Sequence, residues 1–256
     1  MLVALDVGNT NVTIGVFDGE NLAARWRLST AREQTPDEWG ILLRNLFLLW
    51  NLDLRAVDGM IISSVVPPLD PALQQMAEDY FGLDPVFVTP ETETGLKICY
   101  DNPREVGADR IVNSVAAFHK YGGPCVVVDL GTAITFDAVT AKAEYLGGLI
   151  CAGIGMTLES LFAKTARLPL VEFRRPPRLI GTNTVGSIQA GLYFGTIGMV
   201  DGVLDRLIAE LGPETRTVAT GGQARLIARD SRHLKIVDDT LTLEGLRLIW
   251  ERRRRP

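Results

Sequence analysis

Residues 5–19, LDVGNTNVTIGVFDG, decide how the rest of the chain reads. The run leading into them, MLVALDV, is apolar except for Asp6; Gly8, Asn9 and Thr10 interrupt it, and β-branched residues resume at Val12. That pattern predicts strand, tight turn, strand. A carboxylate ending a mostly buried strand is costly unless something pairs with it. Two readings follow: Asp6 caps its own hairpin turn, or Asp6 and the small residues beside it receive a phosphate and its metal.

The pattern returns at 125–137, where Val126-Val127-Val128-Asp129-Leu130-Gly131-Thr132 is followed by Ile134-Thr135-Phe136-Asp137. Asp129 aligns with Asp6, Gly131 with Gly8, and Thr132 falls near Asn9 and Thr10. Two copies of one unit indicate an internal duplication. They predict two similar domains, 1–115 and 116–256, facing each other across a cleft.

Between and around the copies, strands alternate with helices. Strands are expected at 21–28, 57–66 and 85–88, and helices at 37–50, entered through Thr35 and Pro36, and at 71–81. The order predicts an α/β protein with helical crossovers. Residues 91–110 lose all apolar periodicity, and a loop that long inside a compact domain is usually functional. Asp109 and Arg110 close it at the start of a helix over 111–121, where backbone amides favour anions. Further on, GGLICAGIG at 147–155 reads as a glycine-rich turn before a helix over 156–167. Leu158 stands where a dinucleotide fingerprint needs its third glycine, and GxxxxGK[ST] does not occur. A long helix is expected over 182–211, with Gly186, Gly191, Gly195, Gly198 and Gly202 calling for a close backbone neighbour, either within the chain or across a dimer axis. RTVATGG at 216–222 reads as a strand whose carboxyl end, at Gly221 and Gly222, admits a ligand close to the backbone.

Composition excludes several function classes. The net charge is −5, so the overall field does not attract nucleic acid or an anionic membrane. Cys99, Cys125 and Cys151 are scattered, and the histidines are His119 and His233, which argues against a disulfide framework or a zinc site. The uncharged run 179–200 carries Thr182, Asn183, Thr184, Ser187 and Gln189 and is a poor membrane span. With Asp6 breaking the N-terminal apolar run, a cytoplasmic address is expected. Arg252 to Arg255 reads as a solvated helix end.

Asp6-x-Gly8-Asn9-Thr10, Asp129-x-Gly131-Thr132 and Gly221-Gly222 together resemble the actin-like ATPase and sugar-kinase superfamily. With Gly107-Ala108-Asp109-Arg110, DNPREVGADR and GTNTVGSIQAG, the whole chain is similar to the type III pantothenate kinases. The resemblance implies two ribonuclease-H-like domains and transfer of phosphate from ATP to the primary hydroxyl of pantothenate, the first step of coenzyme A biosynthesis. It further implies that Asp6, Val7, Gly8, Asn9, Thr10, Asn11, Val12 and Thr13 hold the ATP phosphates and Mg²⁺, with Asp6 acting through the nucleotide's metal. Thr132 would touch ATP and Asp129 would bind a monovalent cation, K⁺ or NH₄⁺. Tyr100, Gly107, Ala108, Asp109, Arg110 and Thr184 would line the pantothenate site, with Asp109 as proton acceptor. A homodimer is implied as well.

The residue types suit that chemistry, because phosphoryl transfer asks a protein mainly for positioning and charge neutralisation. Taken singly, each has a structural reading too. Asp109 and Arg110 can form an ion pair at a helix start, Tyr100 can be packing, and Thr184 can cap the long helix. Arg110 suits the substrate carboxylate or the transferring phosphate equally. The rival function is a non-catalytic nucleotide-binding regulator of the same fold, for which a base at Asp109 has no use. A chaperone or filament would need a further domain or polymer contacts.

Overall fold

In the computed structural model of the chain, the described residues are 1–165 and 168–254. Strands β1 (Leu2–Val7), β2 (Asn11–Asp18) and β3 (Asn21–Ser29) make an antiparallel meander; α1 (Pro36–Leu49), β4 (Gly59–Ser64), α2 (Asp70–Phe81) and β5 (Val86–Phe87) follow. β4 returns parallel beside β1 and β5 parallel beside β4, giving the order β3-β2-β1-β4-β5. A two-residue strand, β6 (Lys97–Ile98), and α3 (Ala108–Tyr121) complete this half.

The second half repeats it. β7 (Cys125–Leu130), β8 (Ala133–Val139) and β9 (Glu144–Ala152) form the meander, α4 (Ile154–Ala163) and α5 (Thr184–Leu211) follow, and then come β10 (Arg216–Thr220), α6 (Ala224–Ala228), β11 (Ile236–Val237) and α7 (Leu241–Arg254). Its sheet runs β11-β10-β7-β8-β9-β6, which is the first order again, with β6 added on the outer edge of β9. The duplication read from two short motifs is therefore a duplication of the whole strand order.

In space the chain divides into two compact units that do not coincide with one cut in the sequence. The first comprises 1–96, 100–116 and 241–256, and the second 97–99 and 117–240. Two packing facts account for this. β6 pairs with β9, and α7 packs on β1, β2 and β4, with the Arg247 guanidinium 5.9 Å from the Phe17 ring.

Local chemistry explains the elements. Thr35 caps α1 through a reciprocal pair: the Glu38 amide donates to Thr35 Oγ1 at 3.3 Å, and the Thr35 amide to Glu38 Oε2 at 2.8 Å. The inward faces of α1 and α2, with Trp39, Leu43, Phe47, Leu73 and Met76, share a buried core with Val3, Leu5, Val7, Ile14, Met60 and Ile62. Val126, Val128, Phe136 and Ala219 pack in the same way beneath Tyr193, Ile197 and Val200 of α5 and Ile227 of α6. One face of each sheet is thus filled, and the alternate residues, Asp6 and Asp129 among them, project from the other.

Several sequence expectations are corrected. Residues 147–152 are not a turn but the end of strand β9, because ladder hydrogen bonds to β8 need no side chains and Gly147 takes φ +118° where the register shifts. α4 starts at Ile154, two residues early; the end expected for it, near Arg167, lies outside the described residues. α3 starts at Ala108, so Asp109 and Arg110 occupy its first turn rather than precede it. The long helix starts at Thr184 and its cap is Asn183, which keeps extended backbone while its Oδ1 accepts from the Gly186 amide at 2.8 Å. Thr184 is already helical and is no cap.

Candidate functional site

The first turn is held by carbonyls facing inward. Gly8 N–H donates to the Asn11 carbonyl at 3.0 Å, Thr30 N–H to the Thr10 carbonyl at 3.0 Å, and Thr30 Oγ1 to the Gly8 carbonyl at 2.6 Å. The Gly8, Thr10 and Asn11 carbonyls are thus already engaged within the fold. Asn9 and Thr10 are exposed at the tip, and Arg32 donates to Asn9 Oδ1 at 3.1 Å, which adds a positive charge there. Thr30 and Arg32 escape a motif search. The meander itself points to them, since β3 runs back along β2 and must bring its end beside the turn.

Gly107, Asp109 and Arg110 come to the same end of the first sheet. Val65 N–H donates to the Val7 carbonyl at 3.0 Å, which ties the end of β4 to the end of β1. A Cβ built on Gly107 would lie 3.6 Å from Val65 Cγ1 and only 2.6 Å from Asp109 Oδ1. The carboxylate of Asp109 therefore folds back into space that exists because residue 107 is glycine. It accepts from the Arg110 amide at 2.8 Å. Burial pushes its carboxyl above the ordinary aspartate range, against the pull of that hydrogen bond and of the Arg110 charge. A carboxylate so placed is a stronger base than one in water. Arg110 itself is buried, and Tyr100 is half-buried in the loop before α3.

The second turn is built from glycines. Gly131 N–H donates to the Ala133 carbonyl at 3.1 Å and Gln223 N–H to the Leu130 carbonyl at 3.2 Å. Gly221 has φ +92°, and a Cβ there would lie 2.4 Å from Asp129 Oδ1; a Cβ on Gly153 would lie 2.0 Å from the Thr132 carbonyl oxygen. Asp129 is half-buried and Thr132 exposed. A carboxylate among turn carbonyls is an all-oxygen donor set, which suits a hard cation.

Thr184 is exposed and lines an open cavity of about 800 Å³ with Thr157, Leu161, Asn183, Ser187 and Ile188. Among the expected site residues, those from Asp6 to Thr13, Tyr100 and Gly107 to Arg110 thus belong to the first compact unit, and Asp129, Thr132 and Thr184 to the second. Among the described residues no three His, Cys, Asp or Glu side chains cluster as a metal cage. Asp6, half-buried at the end of β1, is a carboxylate whose oxygens are donors of the kind magnesium takes.

Comparison with known proteins bears on the family and the fold. The family model described as type III pantothenate kinase matches residues 2–206. The type III pantothenate kinase of Solibacter usitatus is 62% identical over 252 residues, covering 98% of this chain and 97% of the relative. That of Koribacter versatilis is 57% identical, covering 98% and 96%. Among solved structures, a candidate 2-dehydro-3-deoxygalactonokinase of Sinorhizobium meliloti superposes with a TM-score of 0.60 at 13% identity, covering 100% of this chain and 97% of that one, a likeness of fold. The two duplicated sheets are thus those of the actin-like ATPase and sugar-kinase fold, and the chain belongs to the type III pantothenate kinase family.

Proposed function

We propose that this protein phosphorylates pantothenate from ATP, giving 4'-phosphopantothenate and ADP at the entry to coenzyme A biosynthesis. The observation that carries the reading is the Asp109 carboxylate, raised by burial and folded over Gly107 at the end of the strand pair that also presents the Gly8 to Thr10 turn. Family membership over the full chain supports it. The relatives compared above are named as kinases, which gives a non-catalytic regulator no support.

In this reading the segment Asp6 to Thr13 seats the ATP phosphates, and Thr132 contacts the nucleotide from the second turn. Tyr100, Gly107, Ala108, Arg110 and Thr184 position pantothenate. Asp109 accepts a hydrogen bond from its primary hydroxyl and takes the proton as the new P–O bond forms and the bond to ADP breaks, late in a loose transition state. Asp6 would hold Mg²⁺ through the nucleotide and Asp129 would hold a monovalent cation, K⁺ or NH₄⁺, ions that would supply neutralisation of phosphate charge. Asp6 and Asp129 supply oxygen donors of the right kind for these two roles.

A homodimer and a cytoplasmic location belong to the same proposal. Gly191, Gly195 and Gly198 of α5 have nothing within 4 Å of a built Cβ among the described residues, which leaves that face open for a second copy. Among those residues no helix is long and apolar enough to cross a membrane. Three free thiols suit a reducing compartment.

The test is a steady-state assay with ATP, Mg²⁺, K⁺ or NH₄⁺ and pantothenate, following ADP release and the mass of the product. Formation of phosphopantothenate at the rate of ADP release is expected. Wild-type protein that forms none overturns the assignment.

A further inference from the structure

Asp6 does not stand alone on its sheet. Its register partner across the antiparallel pair β1/β2 is Thr13, and across the parallel pair β1/β4 it is Ser63. The second unit has the same row, with Asp129 between Thr135 on β8 and Thr220 on β10. Residues paired directly across a ladder project from the same face. In the first unit the opposite face is taken by Val7, Val12 and Ile62 in the core under α1 and α2. Each duplicated turn is thus approached by a hydroxyl, a carboxylate and a hydroxyl standing side by side near the strand ends.

Ser63, fully buried, is the member of the row whose hydroxyl is buried without a hydrogen-bond partner among the described residues. Its neighbours in the fold are committed elsewhere: Ser64 Oγ donates to Asp70 Oδ1, and Thr135 Oγ1 to Asp137 Oδ2 at 3.0 Å. An unpartnered buried hydroxyl costs about 1–3 kcal/mol, which an alanine or valine at this interior strand position would avoid. Ser63 also lies one strand from a half-buried carboxylate, at the inter-strand spacing of roughly 4.8 Å.

We infer that Ser63 is a positioning residue for Asp6. Its hydroxyl donates to the Asp6 carboxylate when ATP and magnesium bind, holding the other carboxylate oxygen toward the hydrated cation. Carboxylates that engage metal ions are regularly fixed by such a partner. The inference rests on the kinase reading proposed above.

The experiment compares wild type, Ser63→Ala and Ser63→Thr in three measurements: magnesium-dependent ATP affinity by calorimetry, the magnesium concentration for half-maximal turnover, and the thermal midpoint. Ser63→Ala is expected to weaken magnesium-dependent ATP binding by about 10-fold or more, with an unchanged or higher midpoint because the orphan hydroxyl is gone. Ser63→Thr, which reproduces the residue found at Thr220, keeps the hydroxyl and should stay within about threefold of wild type. Ser63→Ala binding ATP within about twofold of wild type across the magnesium titration overturns the role. So does a lowered midpoint with ATP affinity reduced equally at all magnesium concentrations, the mark of a merely structural hydroxyl. Wild type that binds no ATP with magnesium present overturns the kinase reading itself, a result distinct from both.

Discussion

Replacing Gly221 by alanine puts a methyl group where the second turn has no room for one. Its backbone sits at φ +92°, and the new Cβ would lie 2.4 Å from Asp129 Oδ1 and 2.7 Å from the Leu130 carbonyl carbon. Left-handed backbone costs a residue with a Cβ about 1–2 kcal/mol. Forcing the strand end and carboxylate aside adds about 1–3 kcal/mol. The expected loss is therefore about 2–5 kcal/mol in urea unfolding. Gly122→Ala is the control, since Gly122 has φ +79° with nothing within 4 Å of its built Cβ and should lose the backbone cost alone. Because the Asp129 carboxylate is the nearest group to the new Cβ, the proposed role of Asp129 in cation binding makes Gly221→Ala, like Asp129→Ala, expected to blunt the rise of turnover with K⁺, while Gly122→Ala should keep it. Equal unfolding midpoints for the two alanine variants, or an intact K⁺ response in Gly221→Ala, would refute the claim that this glycine holds the Asp129 carboxylate in place.

Two further substitutions test the other charged groups. Asp109→Asn removes the proposed proton acceptor and should lower turnover by roughly 10²–10⁴-fold while leaving ATP binding, read by calorimetry, intact. Burial raises the Asp109 carboxyl, so its stabilising contribution exists below the ordinary aspartate range and is lost as pH rises through the raised value. The asparagine variant should then be at least as stable as wild type at pH 7, and wild-type turnover should fall on acidification before unfolding does. At Asp238, burial pushes the carboxyl up, but hydrogen bonds from Lys120 and, at 2.8 Å, from the Tyr121 hydroxyl outweigh it and hold the group below its usual range. Tyr121 is in turn pushed up to about 12 by its burial and that carboxylate. A depressed carboxyl stabilises above the ordinary aspartate pKa and loses that contribution as pH falls through its own value. Asp238→Asn should cost about 3 kcal/mol at pH 7, with the gap to wild type closing in acid; a gap independent of pH would show that charge is not what Asp238 contributes.

The first hairpin and its copy were legible because Asp, Gly and Thr interrupt runs of valine and leucine, and such interruptions stand out against a buried strand. The remainder of each repeat was harder to read. β9 hides behind Gly147 and Gly148, yet the duplication alone required a third strand there. β6 and β11 are two residues each, too short for any periodicity. The cap at Asn183 rather than Thr184 turns on one backbone dihedral, and both residue types suit the position.

Residue identity and order carried the α/β class, the duplication and the list of chemically able side chains, since these depend on local pattern and on which atoms a side chain owns. Whether those side chains share a place depends on register and on close approach, and neither is written locally. The fold set Ser63 beside Asp6, folded Asp109 into the space Gly107 leaves, and closed Gly153 and Gly221 on the second turn. It also grouped the last helix with the first sheet. The opening turn, one hairpin with an expensive acid when read along the chain, gains its partners only through strand pairing and packing between residues far apart in sequence.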